Sequence, residues 1–184
     1  MPKPNQTLPS HRSNGFTLIE LLVVVAVAVI LAALGVPAFT KLIANANTSR
    51  AVNDFMMDIR FARGEALRRG RTVTMCRTDT PTSSSPICGT GSNADWSRGW
   101  IVFVDVASPS GVFNANTDRI LRVHESISGT NTLVANNGKN FVSFDSSGKS
   151  VGYMGCWQAS PNGVLSSNTD FTKSVCMNIV GRVR

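Results

Sequence analysis

The chain has 184 residues with 18 Lys and Arg against 11 Asp and Glu, a formal net charge of +7 in which Arg outnumbers Lys 13 to 5. That length suits one packed domain and is cramped for two, and the basic surplus suits a polyanionic partner without choosing one. With 2 His and 4 Cys there is no Ser–His–Asp set, no paired carboxylates and no ligand set around which a reaction would be built, so the chain reads as a non-enzyme with no cofactor and no metal.

Residues 1–14 hold three prolines and the basic residues Lys3 and Arg12 beside His11, with no apolar face; they read as a leader kept in the cytoplasm by charge. The next stretch, GFTLIELLVVVAVAVILAALGVP at 15–37, organises everything after it. From Phe16 to Phe39 the only formal charge is Glu20, and these 24 residues make a helix of about 36 Å, longer than a hydrocarbon core of about 30 Å. A carboxylate inside a bilayer costs about 2.5–3.5 kcal/mol or more, so Glu20 requires a partner. An ordinary secretory signal, cut near residue 35 or 38, has no use for such a carboxylate.

The stretch resembles the class III signal of type IV pilins and type II secretion pseudopilins. That resemblance implies cutting by a prepilin peptidase between Gly15 and Phe16, methylation of the new Phe16 amine, and retention of the helix. It places the family's glutamate on Glu20, where the amine of a neighbouring subunit supplies the missing countercharge and sets the register of assembly. The expected division is a leader at 1–15, a transmembrane and assembly helix at 16–39, and an amphipathic helix half with a β-rich head at 40–184. Without Lys3 and Arg12 the formal charge of +7 becomes +5.

Beyond Pro37, which lacks the N–H for the Ala33 carbonyl and predicts a kink or softened turn near Gly35, helical spacing continues in a new character. Val52, Phe55, Met56, Ile59, Ala62 and Ala66 recur at intervals of three and four, with Asp54, Asp58, Glu65, Arg68 and Arg69 on the other side. The whole helix, 16 to about 69, would be about 80 Å long. Arg63 falls inside the apolar stripe, which predicts a buried arginine paired with a carboxylate or a stem that snorkels past the edge. Residues 60–71 hold five arginines. Glu65 is placed to pair with Arg68 or Arg69, so this reads as a solvated helix end before a basic patch. Gly70 is the expected stop.

Strand signals follow at 72–77, 99–106, 119–124, 132–135, 140–144, 151–158 and 174–180, separated by turn clusters, so the head is expected to be mostly antiparallel β. The run at 99–106, GWIVFVDV, is apolar on both faces and reads as a central buried strand. Gly89-Thr90-Gly91 lacks the following helix that a phosphate-binding loop requires. Asn114, Asn116 and Asp118 alternate as calcium ligands can, but no distal Glu completes a loop, and a polar turn is expected. His124 reads as a surface or cross-strand residue. The cysteines Cys76, Cys88, Cys156 and Cys176 would lie outside the cytoplasm, where an even count reads as two disulfides. Three pairings are possible, and proximity favours Cys76–Cys88 and Cys156–Cys176.

GFTLIE…VPAF, then DIRFARGEALRRGRTVTMC, then WSRGWIVFVD together resemble the FimT/GspH family of minor pilins and pseudopilins. The resemblance implies an α+β type IV pilin-like fold, a long N-terminal helix packed on an antiparallel β head. The chain closes on Gly181-Arg182-Val183-Arg184, which resembles the G-R-x-R motif through which FimT proteins of natural transformation bind DNA. In an extended segment Arg182 and Arg184 point the same way, about 6.6 Å apart, while Val183 faces the head and Gly181 permits the bend. Two guanidinium forks can hold adjacent phosphates. Lys173 and Lys149 are candidates to widen the patch. The expected function is capture of extracellular double-stranded DNA by a minor pilin. It would be held in the inner membrane with its head in the periplasm, then assembled with major and minor pilin subunits near a pilus tip. The alternative is a structural minor pilin or GspH-like pseudopilin that primes fibre assembly without binding DNA.

Overall fold

The computed structural model describes residues 15–92, 94–106, 111–152, 154–161 and 169–184. Residues 1–14 of the expected leader, Tyr153 and residues 162–168 lie outside them. Helix α1 (Leu18–Arg69) contains Pro37, and the described residues form two units divided between Thr40 and Lys41. In the first unit Thr17 starts the helix, its hydroxyl accepting the Glu20 N–H at 3.3 Å as an N-cap does. Its apolar side chains are exposed, Phe16 at 82% and Leu34 at 71%, and its most apolar window has a mean hydropathy of 2.9. By length and composition this segment can cross a membrane.

Among the described residues every buried one belongs to the second unit, which has a core of its own. Its strands are β1 (Val73–Arg77), β2 (Trp100–Val104), β3 (Arg119–His124), β4 (Thr130–Ala135), β5 (Phe141–Phe144), β6 (Ser150–Val151), β7 (Gly155–Pro161) and β8 (Lys173–Met177). They form a five-stranded sheet ordered β3-β2-β1-β5-β6 and a three-stranded sheet ordered β4-β7-β8. Each neighbouring pair is antiparallel.

The helix stripe faces both sheets through one aromatic cluster. The Phe55 ring meets those of Trp96, Trp100 and Trp157 edge-on, with centroids 5.4, 5.2 and 5.0 Å away. Such edge-to-face pairs add about 0.5–1.5 kcal/mol each to the burial of the rings. The two-faced apolarity of 99–106 has a direct cause. Trp100, Val102 and Val104 face the helix, while Ile101 and Phe103 face a second cluster with Cys76, partly covered by Phe113, Ile120 and Phe141. This strand is second in its sheet, and β1 is the central one.

The expected strand at 151–158 is two strands in two sheets. Gly152, at φ +77, turns the chain between β6 and β7. The strand expected at 174–180 ends at Met177, because 178–181 forms a turn closed by the Gly181 N–H on the Asn178 carbonyl at 2.9 Å. Asp58, expected on the polar side of the helix, is instead 3% exposed: it accepts the Trp100 indole N–H at 2.8 Å and pairs with Arg122, whose guanidinium lies over the Phe61 ring. A buried carboxylate demands such partners, and these tie α1 to β2 and β3.

Candidate nucleic-acid interface at the tail

Residues 181–184 fold back along β8. The Arg184 N–H donates to the Cys176 carbonyl at 3.0 Å, the Cys176 N–H to the Arg184 carbonyl at 2.9 Å, and the Asn178 N–H to the Arg182 carbonyl at 3.1 Å. The Asn178 side-chain oxygen accepts the Arg182 N–H at 2.9 Å, so the turn is fixed from within. Val183 pairs with Met177 and is 6% exposed in the main core. Because side chains alternate, Arg182 and Arg184 both stand on the opposite, solvent face, lining a shallow concavity with Cys176, Met177 and Asn178.

Gly181 is required by both conformation and space. It sits at φ +73, and a Cβ there would stand 2.7 Å from the Gly148 carbonyl and 3.1 Å from the Phe144 ring. The strand beneath the tail is stapled: Cys156 and Cys176 are direct cross-strand partners and form a disulfide, as do Cys76 and Cys88.

The structure does not bring Lys173 to the arginines. It shares the inward face of β8 with Val175, and its ammonium donates to the Ser49 hydroxyl of α1 at 2.7 Å. Lys149 is exposed at the turn next to Gly148, beside Gly181. Arg63 has no carboxylate partner among the described residues; its Nε donates to the Gly148 carbonyl at 2.9 Å, a role that the apolar spacing could not show.

The other arginines divide by their partners. Glu65 accepts from Arg68 and Arg69 in ion pairs of 2.8 and 2.6 Å, and hydrogen bonds from Arg68 first and Arg69 second lower its pKa to about 2. Arg77 is buried, donating to Asn140 at 2.8 Å and to the Asp79 carboxylate at 2.9 Å. A Cβ on Gly89 would stand 2.6 Å from its guanidinium, so this glycine makes room for an arginine. Asp118 accepts backbone N–H groups of Val106 and Asn114, closing the polar turn around Asn116, and His124 stacks on Trp100 at 4.0 Å. Among the described residues no group of three or more His, Cys, Asp or Glu is placed to hold a metal ion. Phe16 and Glu20 belong to the first unit, where Phe16 directly precedes the Thr17 cap.

A capped apolar helix leading into a helix packed on antiparallel sheets is the architecture of a type IV pilin subunit. The family described as type II transport protein GspH matches residues 51–181, and the prokaryotic N-terminal methylation motif matches residues 10–36. The chain belongs to the GspH family of minor type IV pilins and pseudopilins. Two crystal structures of the Pseudomonas aeruginosa type IV minor pilin FimU share its fold, with TM-scores of 0.55 and 0.54 at 19% identity. The similarity covers 74% of this chain and 85% and 90% of those chains. No curated protein matches the chain. The methylation motif and the apolar helix fit processing by a prepilin peptidase, membrane anchoring and incorporation beside other pilin subunits. The GspH match ends at Gly181, so Arg182 and Arg184 lie just beyond it.

Proposed function

We propose that this minor pilin is not an enzyme but a DNA receptor, which captures extracellular double-stranded DNA through Arg182 and Arg184 at or near a pilus tip and serves natural transformation. The observation that carries the reading is the docked tail. Its two arginines share a solvent face, and among the described residues neither takes part in an ion pair. Residues two apart in an extended segment are about 6.6 Å apart along the backbone, so two guanidinium forks on one face can reach neighbouring phosphates. Contacts of this kind position the protein on the duplex without reading bases, so binding is weak per subunit, indifferent to sequence and salt-dependent.

The test replaces both arginines. R182A/R184A is expected to lose DNA retention while pili still form. Unchanged affinity of the purified double variant for duplex DNA would sink the reading. Loss of fibres on deletion of the chain, with no salt-sensitive DNA binding by the wild type, would leave the structural role in fibre priming instead.

A further inference from the structure

Arg63 lies on α1, far from the tail in sequence, yet the fold sets it against the tail's first residue. Its Cδ lies 3.2 Å from where a Cβ on Gly181 would stand, and the Gly148 carbonyl that accepts its Nε–H lies 2.7 Å from the same point. Three segments therefore meet: the helix, the turn at 145–149 and the tail. The turn is held by Asp145, whose carboxylate accepts the Ser147 hydroxyl at 2.7 Å and the N–H groups of Ser147 and Lys149 at 2.8 and 3.0 Å. Those bonds, the Ser147 hydroxyl foremost, hold the Asp145 carboxyl below its usual range.

The Nε–H of Arg63 is occupied by a carbonyl, which leaves the two terminal amino groups of the guanidinium. Arg63 is only partly covered and forms no ion pair among the described residues, unlike Arg68, Arg69, Arg77, Arg98 and Arg122. We propose that Arg63 is a third phosphate-binding arginine of the tail site, extending the contact from Arg182 and Arg184 across Gly181 onto the helix. This rests on the DNA-binding reading above. A guanidinium tied at Nε is pre-oriented, so less side-chain entropy is lost when its remaining donors engage a phosphate. The site then spans three phosphates, and Gly181 is the gap that lets helix and tail approach.

The test is a salt titration of duplex DNA binding by the full chain in a non-ionic detergent. Arg63→Gln is the informative variant, because its amide nitrogen occupies the place of Nε and can still donate to Gly148 while the charge is gone. The slope of log K against log salt should shrink in magnitude by about 0.9, and affinity at 0.1 M salt should fall roughly 8-fold. Arg63→Lys, which keeps the charge, should retain most of the slope. A wild-type slope in R63Q, with a reduced slope in R182A/R184A, would overturn this inference and leave the parent reading intact. Wild-type behaviour in all three variants would overturn both. If R63K loses as much slope as R63Q, Arg63 serves only to position the tail and the inference fails.

Discussion

Two arginine pairs on the same globular unit have opposite surroundings. Arg68 and Arg69 close α1 around Glu65, while Arg182 and Arg184 project from the docked tail without an ion-pair partner among the described residues. Both look equally basic when counted along the chain. The difference teaches that two equally basic runs differ in which charges the fold pairs and how firmly it fixes the backbone that carries them. At the helix end Glu65 takes both charges, whereas the tail's arginines stand outside the ion pairs of the described residues on a backbone held to β8.

The sharpest way to break the comparison is to remove each pair in turn. R182A/R184A is expected to reduce duplex affinity roughly 60-fold at 0.1 M salt, the loss of two phosphate contacts, whereas R68A/R69A should stay within about 3-fold. Equal losses from the two pairs, read by fluorescence anisotropy, would show that net charge alone is at work.

A smaller effect separates charge from placement. V183A keeps every arginine but removes two methyl groups from the core, costing about 1.5–2.5 kcal/mol and loosening the tail from β8. Faster amide exchange at Arg184 and Cys176, together with weaker DNA binding at unchanged charge, is the expected signature. If binding keeps its full strength after the tail is released, docking is irrelevant to it.

The comparison is sharpened from the other side by E65Q, which uncovers Arg68 and Arg69. DNA affinity should rise a few-fold, with a salt slope steeper by about one. The same variant has a pH signature. The folded pKa of Glu65 is lowered from 4.5 to about 2, so its stabilising contribution is fully present above pH 4.5 and is lost as pH falls toward 2. The difference in urea midpoint between wild type and E65Q should accordingly be constant above pH 4.5 and shrink below it. A difference that grows on acidification would contradict the ion-pair assignment.

Much of this was legible in the residues. The run after Gly15 fixes an apolar helix with one carboxylate, and GWIVFVDV fixes a strand buried on both faces, because each follows from side chains within a few positions of one another. The matching Gly-Arg-x-Arg tail was legible as a candidate in the same way, as were the two nearest-neighbour disulfides. The helix-end pairing of Glu65 with Arg68 and Arg69 is a three- and four-residue interaction, and spacing alone anticipates it.

Tertiary structure decided which charges remain available. Asp58 is neutralised by Arg122, 64 residues away, Arg63 finds its carbonyl 85 residues away, and Lys173 turns to a serine 124 residues away. Local periodicity records which face of an element is apolar; it does not record what arrives opposite that face when sheets and helix close. The sequence by itself therefore determined most of the elements, the membrane-compatible helix and the two arginines of the tail, but not the break at Gly152 or the turn after Met177. Only the closed fold turned Lys173 to Ser49 and set Arg63 beside Gly181, because burial and charge compensation are settled between segments that meet only when the core forms.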